Sequence, residues 1–135
     1  MNIRFQEKIE VSADPEKVWK IVSKWEDIPN YWHGTTKILN LGNGLFKIRF
    51  AFPANGVMKF ILLERERIVV EEYIKGPLRG IVRIGTCKEN DSTLLSCDFD
   101  VKLIFPYSIF GKWSFNHFRE GATHALVRIK ERSES

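Results

Sequence analysis

The chain reads as an α+β protein: seven antiparallel strands in a curved sheet around a long C-terminal helix, with two short helices between strands 1 and 2. Three observations predict this. A helical apolar stripe occupies the C-terminal end, a helix-start signal follows the first alternating segment at once, and from Thr36 onward the chain is a series of hairpins.

The helix is the organising element. Pro106 cannot continue a strand ladder, so the preceding strand ends there, and from about Ser108 the pattern turns helical. Phe118, Ala122, Ala125 and Ile129 recur at i, i+4, i+7 and i+11. Phe115 and Leu126 widen that stripe on one side, Ser114 and Gly121 border it on the other, and Lys112, Asn116, Arg119, Thr123 and Lys130 lie opposite. Roughly 20 to 24 residues of helix span about 30 to 36 Å, enough to cross a small sheet. Gly111 marks the helix start or a kink, since an interior glycine costs about 1 kcal/mol relative to alanine.

Arg4 to Ser12 alternates as a half-buried strand, with Phe5, Ile9 and Val11 sharing a face with Glu7. Glu7 is either a polar group lining a cavity or an acid near the sheet edge. Asp14 is the natural N-cap of the next helix, Pro15 suits its first position, and Glu16 favours the positive end of the dipole. Val18, Trp19, Ile21 and Val22 supply its buried face, and it stops near Trp25. Asp27 to Trp32 reads as a second short helix or turn ended by Gly34.

Asn43-Gly44 is a two-residue turn that sets Leu41 opposite Phe46 and Leu39 opposite Ile48. Pro53 to Gly56 forms the next loop. Val57 to Leu63 and Ile68 to Ile74 are apolar on both parities, so neither inward face is assigned; Glu71 and Glu72 must point oppositely, and one carboxylate turns inward. With Asn90-Asp91 as the last turn, Ile84 pairs with Cys97, Val82 with Phe99, Gly80 with Val101 and Leu78 with Leu103. The same register puts Arg83 opposite Asp98 on the outer face. It also places Cys87 and Cys97 on opposite faces, which excludes a disulfide between them.

At 135 residues the chain is expected to form a single domain spanning 1–135 with a substantial core. Apolar residues at 44% and aromatics at 13% exclude general disorder. No apolar run approaches a membrane span, and the N-terminus lacks an apolar signal region, so the expected localisation is cytoplasmic. The net charge of +4 is spread among acids, as in Glu64-Arg65-Glu66-Arg67, and no nucleic-acid partner is expected. Two cysteines match neither a disulfide framework nor a zinc site, and no metal or cofactor is expected.

The element order, together with Ser12-Ala13-Asp14-Pro15-Glu16-Lys17-Val18-Trp19 and Trp25-Glu26-Asp27-Ile28-Pro29-Asn30-Tyr31-Trp32, resembles the START-like superfamily with the helix-grip fold. Pro77-Leu78-Arg79-Gly80 is similar to that superfamily's glycine-containing strand start. The resemblance covers essentially the whole chain. It implies a cavity between sheet and helix, with a mouth formed by Tyr31, Trp32 and the loop Pro53 to Gly56. The superfamily includes pollen allergens, lipid-transfer domains and polyketide cyclases, so it narrows function little.

Candidate residues are read on that frame. The expected ligand-lining set is Trp32, Ile48, Phe50, Val82, Phe99, Ser114, His117, Phe118 and Gly121. His117 and His124 are too far apart for a shared metal, at about 10 Å along the helix. No nucleophile elbow, phosphate-cradling loop or carboxylate pair at defined spacing occurs, so no catalytic residue is assigned. The leading expectation is binding or transport of a hydrophobic small molecule such as a lipid, isoprenoid or polyketide. The alternatives are a cyclase or dehydratase using Glu71 or Glu72 with His117, and a protein-interaction module with a vestigial cavity.

Overall fold

A computed structural model describes residues 1–52 and 54–135; Pro53, expected in the cavity mouth, lies outside the described residues. The order is β1 (Asn2–Val11), α1 (Pro15–Val22), a 3-10 turn (Trp25–Asp27), α2 (Ile28–Tyr31), β2 (Thr35–Gly42), β3 (Leu45–Phe50), β4 (Asn55–Leu63), β5 (Ile68–Lys75), β6 (Leu78–Glu89), β7 (Ser92–Leu103), a 3-10 turn (Tyr107–Phe110) and α3 (Gly111–Glu134). The strands form one curved antiparallel sheet in the order β1-β7-β6-β5-β4-β3-β2. The two short helices after β1 carry the chain to the far edge of the sheet. From there each hairpin adds its strand beside the last, until β7 closes against β1.

Local chemistry explains the elements. Asp14 Oδ1 accepts the Glu16 backbone N–H at 3.0 Å, and Pro15 opens α1 where no intrahelical N–H is needed. Val18, Trp19 and Val22 are buried from that helix. In the β6–β7 hairpin Ile84 faces Cys97, Val82 faces Phe99, Gly80 faces Val101, Leu78 faces Leu103 and Arg83 faces Asp98, as the alternation requires. Cys97 is buried and Cys87 exposed, both as free thiols.

The β2–β3 pairing departs from expectation. Leu39 faces Lys47, Ile38 faces Ile48 and Asn40 faces Phe46, because a bulge between Asn40 and Gly42 inserts one residue. Asn40 Oδ1 accepts the Gly42 N–H at 2.8 Å, and Gly42 takes φ +90°, which holds the extra residue in place. Leu39 and Leu41 are consequently exposed at 59% and 51% rather than buried over Ile48 and Phe46. A one-residue slip moves a whole side-chain set to the other face.

On β4 Met58 is buried and Phe60 joins the core, while Ile61 is exposed. On β5 Val69 and Glu71 are buried. Helix α3 has 24 residues, about 36 Å, and begins at Gly111 after the 3-10 turn, with Gly111 at φ +51°. Ala122, Ala125, Leu126 and Ile129 bury its stripe, and Ser114 is buried with them. Phe115 and Phe118 extend the same face, over Phe5 of β1 at 5.9 Å and Phe99 of β7 at 5.6 Å. Glu7 lies on the inner face of the edge strand β1, where its Oε1 accepts from Arg119 Nε of α3 at 2.5 Å. Among the described residues no helix is long and apolar enough to cross a membrane.

Candidate functional site

Period-2 alternation decides what the sheet turns inward. With Val69 inside, Glu71 and Tyr73 follow on the same face of β5, and Glu72 takes the other. The register then lays Phe60, Glu71, Val82, Phe99 and Phe5 side by side across five neighbouring strands. The adjacent row is Met58, Tyr73, Gly80, Val101 and Ile3. One carboxyl therefore stands in an otherwise apolar row, and one phenol stands in the next.

Glu71 is buried, at 4% exposure. Its named side-chain partner is Tyr73, whose hydroxyl donates to Glu71 Oε1 at 3.5 Å. Burial pushes the Glu71 carboxyl up to about 7, against the opposing pull of that hydrogen bond. The Tyr73 phenol is pushed well above its ordinary value by burial and then by the Glu71 charge. Tyr31 at the end of α2 and Cys97 on β7 are raised in the same way, first by burial and then by Glu71. Two phenols and a thiol, from α2, β5 and β7, are thus held neutral around the Glu71 carboxyl. At neutral pH the carboxyl is divided between its two forms. It can donate or accept a hydrogen bond, and it can release or take up a proton.

Aromatic rings connect this pair to the protein's end. Tyr73 lies 6.3 Å from Phe50, Phe50 stacks on Phe52 at 5.3 Å, and Phe52 meets Tyr107 of the 3-10 turn at 5.5 Å. On the opposite side of the pair, Phe99 stacks on Phe5 at 4.8 Å and supports Phe118. Helix α2 is tied to α3 by Arg128, whose guanidinium donates to the Tyr31 carbonyl at 3.0 Å. Trp32, just after α2, carries a buried Nε1–H without a hydrogen-bond partner among the described residues.

The expected ligand-lining residues are distributed unevenly over this arrangement. Val82 and Phe99 share the Glu71 row, Phe50 faces Tyr73, and Phe118 covers Phe99. Ile48 is buried on β3 and Ser114 on α3. His117 is not part of the set: it is exposed and stacks on Trp113 at 4.9 Å. It is therefore not placed as an acid–base partner for buried Glu71, and Glu72 points to the other face. Gly121 is half-buried, and a Cβ there would meet nothing within 4 Å. Tyr73 was missed in the sequence, although its place two residues after Glu71 puts both on one face. Two surface depressions, one on α3 around Asn116 and Thr123 and one around Ser12 and Asn90, contain none of the expected lining residues. Among the described residues no cluster of three or more His, Cys, Asp or Glu could hold a metal ion.

No protein-family model and no curated protein matches the chain. Solved structures do. A START superfamily protein from Mycobacterium smegmatis superposes with a TM-score of 0.79 at 20% identity, over 97% of both chains. The Zhui aromatase/cyclase from a Streptomyces species gives 0.75 at 11% identity, over 99% of this chain and 94% of the other. Norcoclaurine synthase from Thalictrum flavum gives 0.70 at 16% identity, over 97% of this chain and 92% of the other. At these identities the likeness speaks for architecture. With the sheet order and the long helix, it establishes that this chain has the START-like helix-grip fold.

Proposed function

We propose that this protein binds a hydrophobic small molecule, of lipid, isoprenoid or polyketide-like character, against the inner face of its sheet. The Glu71 carboxyl and Tyr73 hydroxyl hold the polar end of that molecule. One observation carries the reading: a buried carboxyl set in an apolar, aromatic row of the sheet. Folding alone favours an apolar side chain there, because burying an ionisable group costs free energy that a leucine would not. A destabilising group inside an apolar face is the pattern of a site. Neutral carboxyl and phenol groups recognise a hydroxyl or carbonyl, and the rings of Phe50, Phe99 and Phe118 suit an apolar body.

A second reading rests on the same carboxyl. A group titrating near 7 is matched to general acid–base work at neutral pH, as a cyclase or dehydratase type of reaction needs. In that case Glu71 exchanges the proton and Tyr73 orients it. The fold likeness to an aromatase/cyclase is compatible with both readings.

Native mass spectrometry of freshly purified protein, combined with titration of a fluorescent fatty acid, tests the proposal. The expected result is a bound small molecule, or one saturable probe site, that Tyr73→Phe and Glu71→Leu weaken about tenfold each. That corresponds to loss of one hydrogen bond to a buried polar group. Both variants keep the side-chain volume, so they remain folded. Absence of any bound molecule and of saturable probe binding overturns the reading, and so does unchanged probe affinity in both variants. A bound molecule that leaves chemically altered supports the enzyme.

A further inference from the structure

Four strongly exposed large apolar side chains fall in one short stretch, among them the three most exposed of the described residues. Phe105 is 77% exposed, Ile109 68%, Phe110 54% and Trp113 64%, all between the end of β7 and the first turn of α3. With about 150–250 Å² on each aromatic side chain, the three rings alone leave on the order of 400 Å² bare. That is within the range of the largest patch on an ordinary monomer, and such patches are often functional. Phe110 and Trp113 face each other at 6.0 Å, and Ile109 adjoins Phe110 in the same 3-10 turn.

Along the chain through it the charge has one sign. No carboxylate occurs between Asp100 and Glu120, whereas Lys112 sits inside the patch. Lys102 and Arg79 face each other directly across β7 and β6, a like-charge pair that costs stability unless an anion is near. Lys75 ends β5 at the same edge as the start of β6. Lys75, Arg79, Lys102 and Lys112 are all exposed, and none is in an ion pair among the described residues. A two-fold contact with a second copy would bring these cations face to face, which disfavours self-association here.

We infer that the Phe105–Trp113 knuckle docks this protein on an anionic lipid surface, with the rings in the headgroup layer and the four cations on lipid phosphates. Aromatic rings beside lysines and no carboxylate are what such a surface binds. Position gives the docking a purpose. Tyr107, in the same 3-10 turn as Ile109 and Phe110, begins the ring series through Phe52, Phe50 and Tyr73 that ends on Glu71. The knuckle therefore lies at the outer end of that series, where an apolar molecule would pass between bilayer and protein. This last step rests on the ligand reading above; the docking itself does not.

Co-sedimentation with vesicles tests it, using phosphatidylglycerol mixed with phosphatidylcholine against phosphatidylcholine alone. The protein is expected to bind the mixed vesicles and to bind pure phosphatidylcholine far less. Phe110→Ser with Trp113→Ser should weaken binding at least about tenfold, since two anchoring rings are lost. Lys112→Gln alone should weaken it about fivefold on the mixed vesicles only. All three positions are exposed, so the variants retain the circular dichroism of the parent. Failure to bind mixed vesicles overturns the inference, as does undiminished binding by the double variant. Sedimentation of the lipid-free protein as a dimer that the double variant dissociates also overturns it, making the knuckle a self-association surface. Vesicle binding is read without any ligand, so an unaltered fatty-acid titration in both Tyr73→Phe and Glu71→Leu refutes the ligand reading and leaves the docking standing.

Discussion

Replacing Glu71 by glutamine gives a stability difference that depends on pH in a defined direction. The carboxyl titrates at 4.5 when the chain is unfolded and near 7 when it is folded. Below 4.5 both states hold the proton and burial of the neutral acid costs little. Between 4.5 and 7 the unfolded chain releases the proton first, so the native state loses stability as pH rises. Above 7 both have released it and the loss levels off. At about 1.4 kcal/mol for each pH unit, the gap corresponds to a loss on the order of 3 kcal/mol between pH 4 and pH 8. Glutamine cannot ionise and preserves the shape. Urea unfolding of both proteins, followed by tryptophan fluorescence at intervals from pH 4 to pH 8, isolates this contribution, because every other titrating group cancels in the difference. The two proteins should be nearly matched at pH 4, and the Gln variant should be more stable by on the order of 3 kcal/mol at pH 8. Parallel curves would refute the reasoning, since they would mean that Glu71 meets the same environment folded and unfolded.

Two further predictions concern the helices. Asp14→Ala removes the side-chain cap of α1 and should cost about 1 kcal/mol in denaturant unfolding while leaving fatty-acid binding unchanged; an unchanged midpoint would mean that the cap contributes nothing. Gly121→Ala should stabilise by up to about 1 kcal/mol, because the added Cβ meets no atom within 4 Å and alanine is the better helix former; a destabilised variant would contradict that open space.

Much of the architecture was legible because local signals agree with one another there. Asp14-Pro15-Glu16 specifies a helix start by hydrogen bonding and dipole alone, with no distant partner required. In the β6–β7 hairpin a tight turn at Asn90 and a strict alternation dictate the same register. The stripe on α3 announces a buried face through its period of 3.6.

Where both faces of a strand are apolar, alternation carries no direction, and only the assembled sheet chooses. Ile61 and Leu63 could have been core by composition, yet they are about 40% exposed while Met58 and Phe60 turn inward. That choice, passed through the register to β5, makes Glu71 rather than Glu72 the buried acid. The β2–β3 slip depends on a bulge held by one Asn40 side-chain bond, a feature that the Asn43-Gly44 turn signal does not contain. His117 was placed beside the stripe by helical phase. Phase cannot say how wide a strip of the helix the sheet covers: Ser114 is buried and Phe118 meets Phe99, while His117 between them is exposed, against Trp113. Hydrogen bonds within a few residues are written in the sequence. The depth at which a side chain comes to rest depends on surfaces brought together from the whole chain, so the protonation of Glu71 is decided only in the folded molecule.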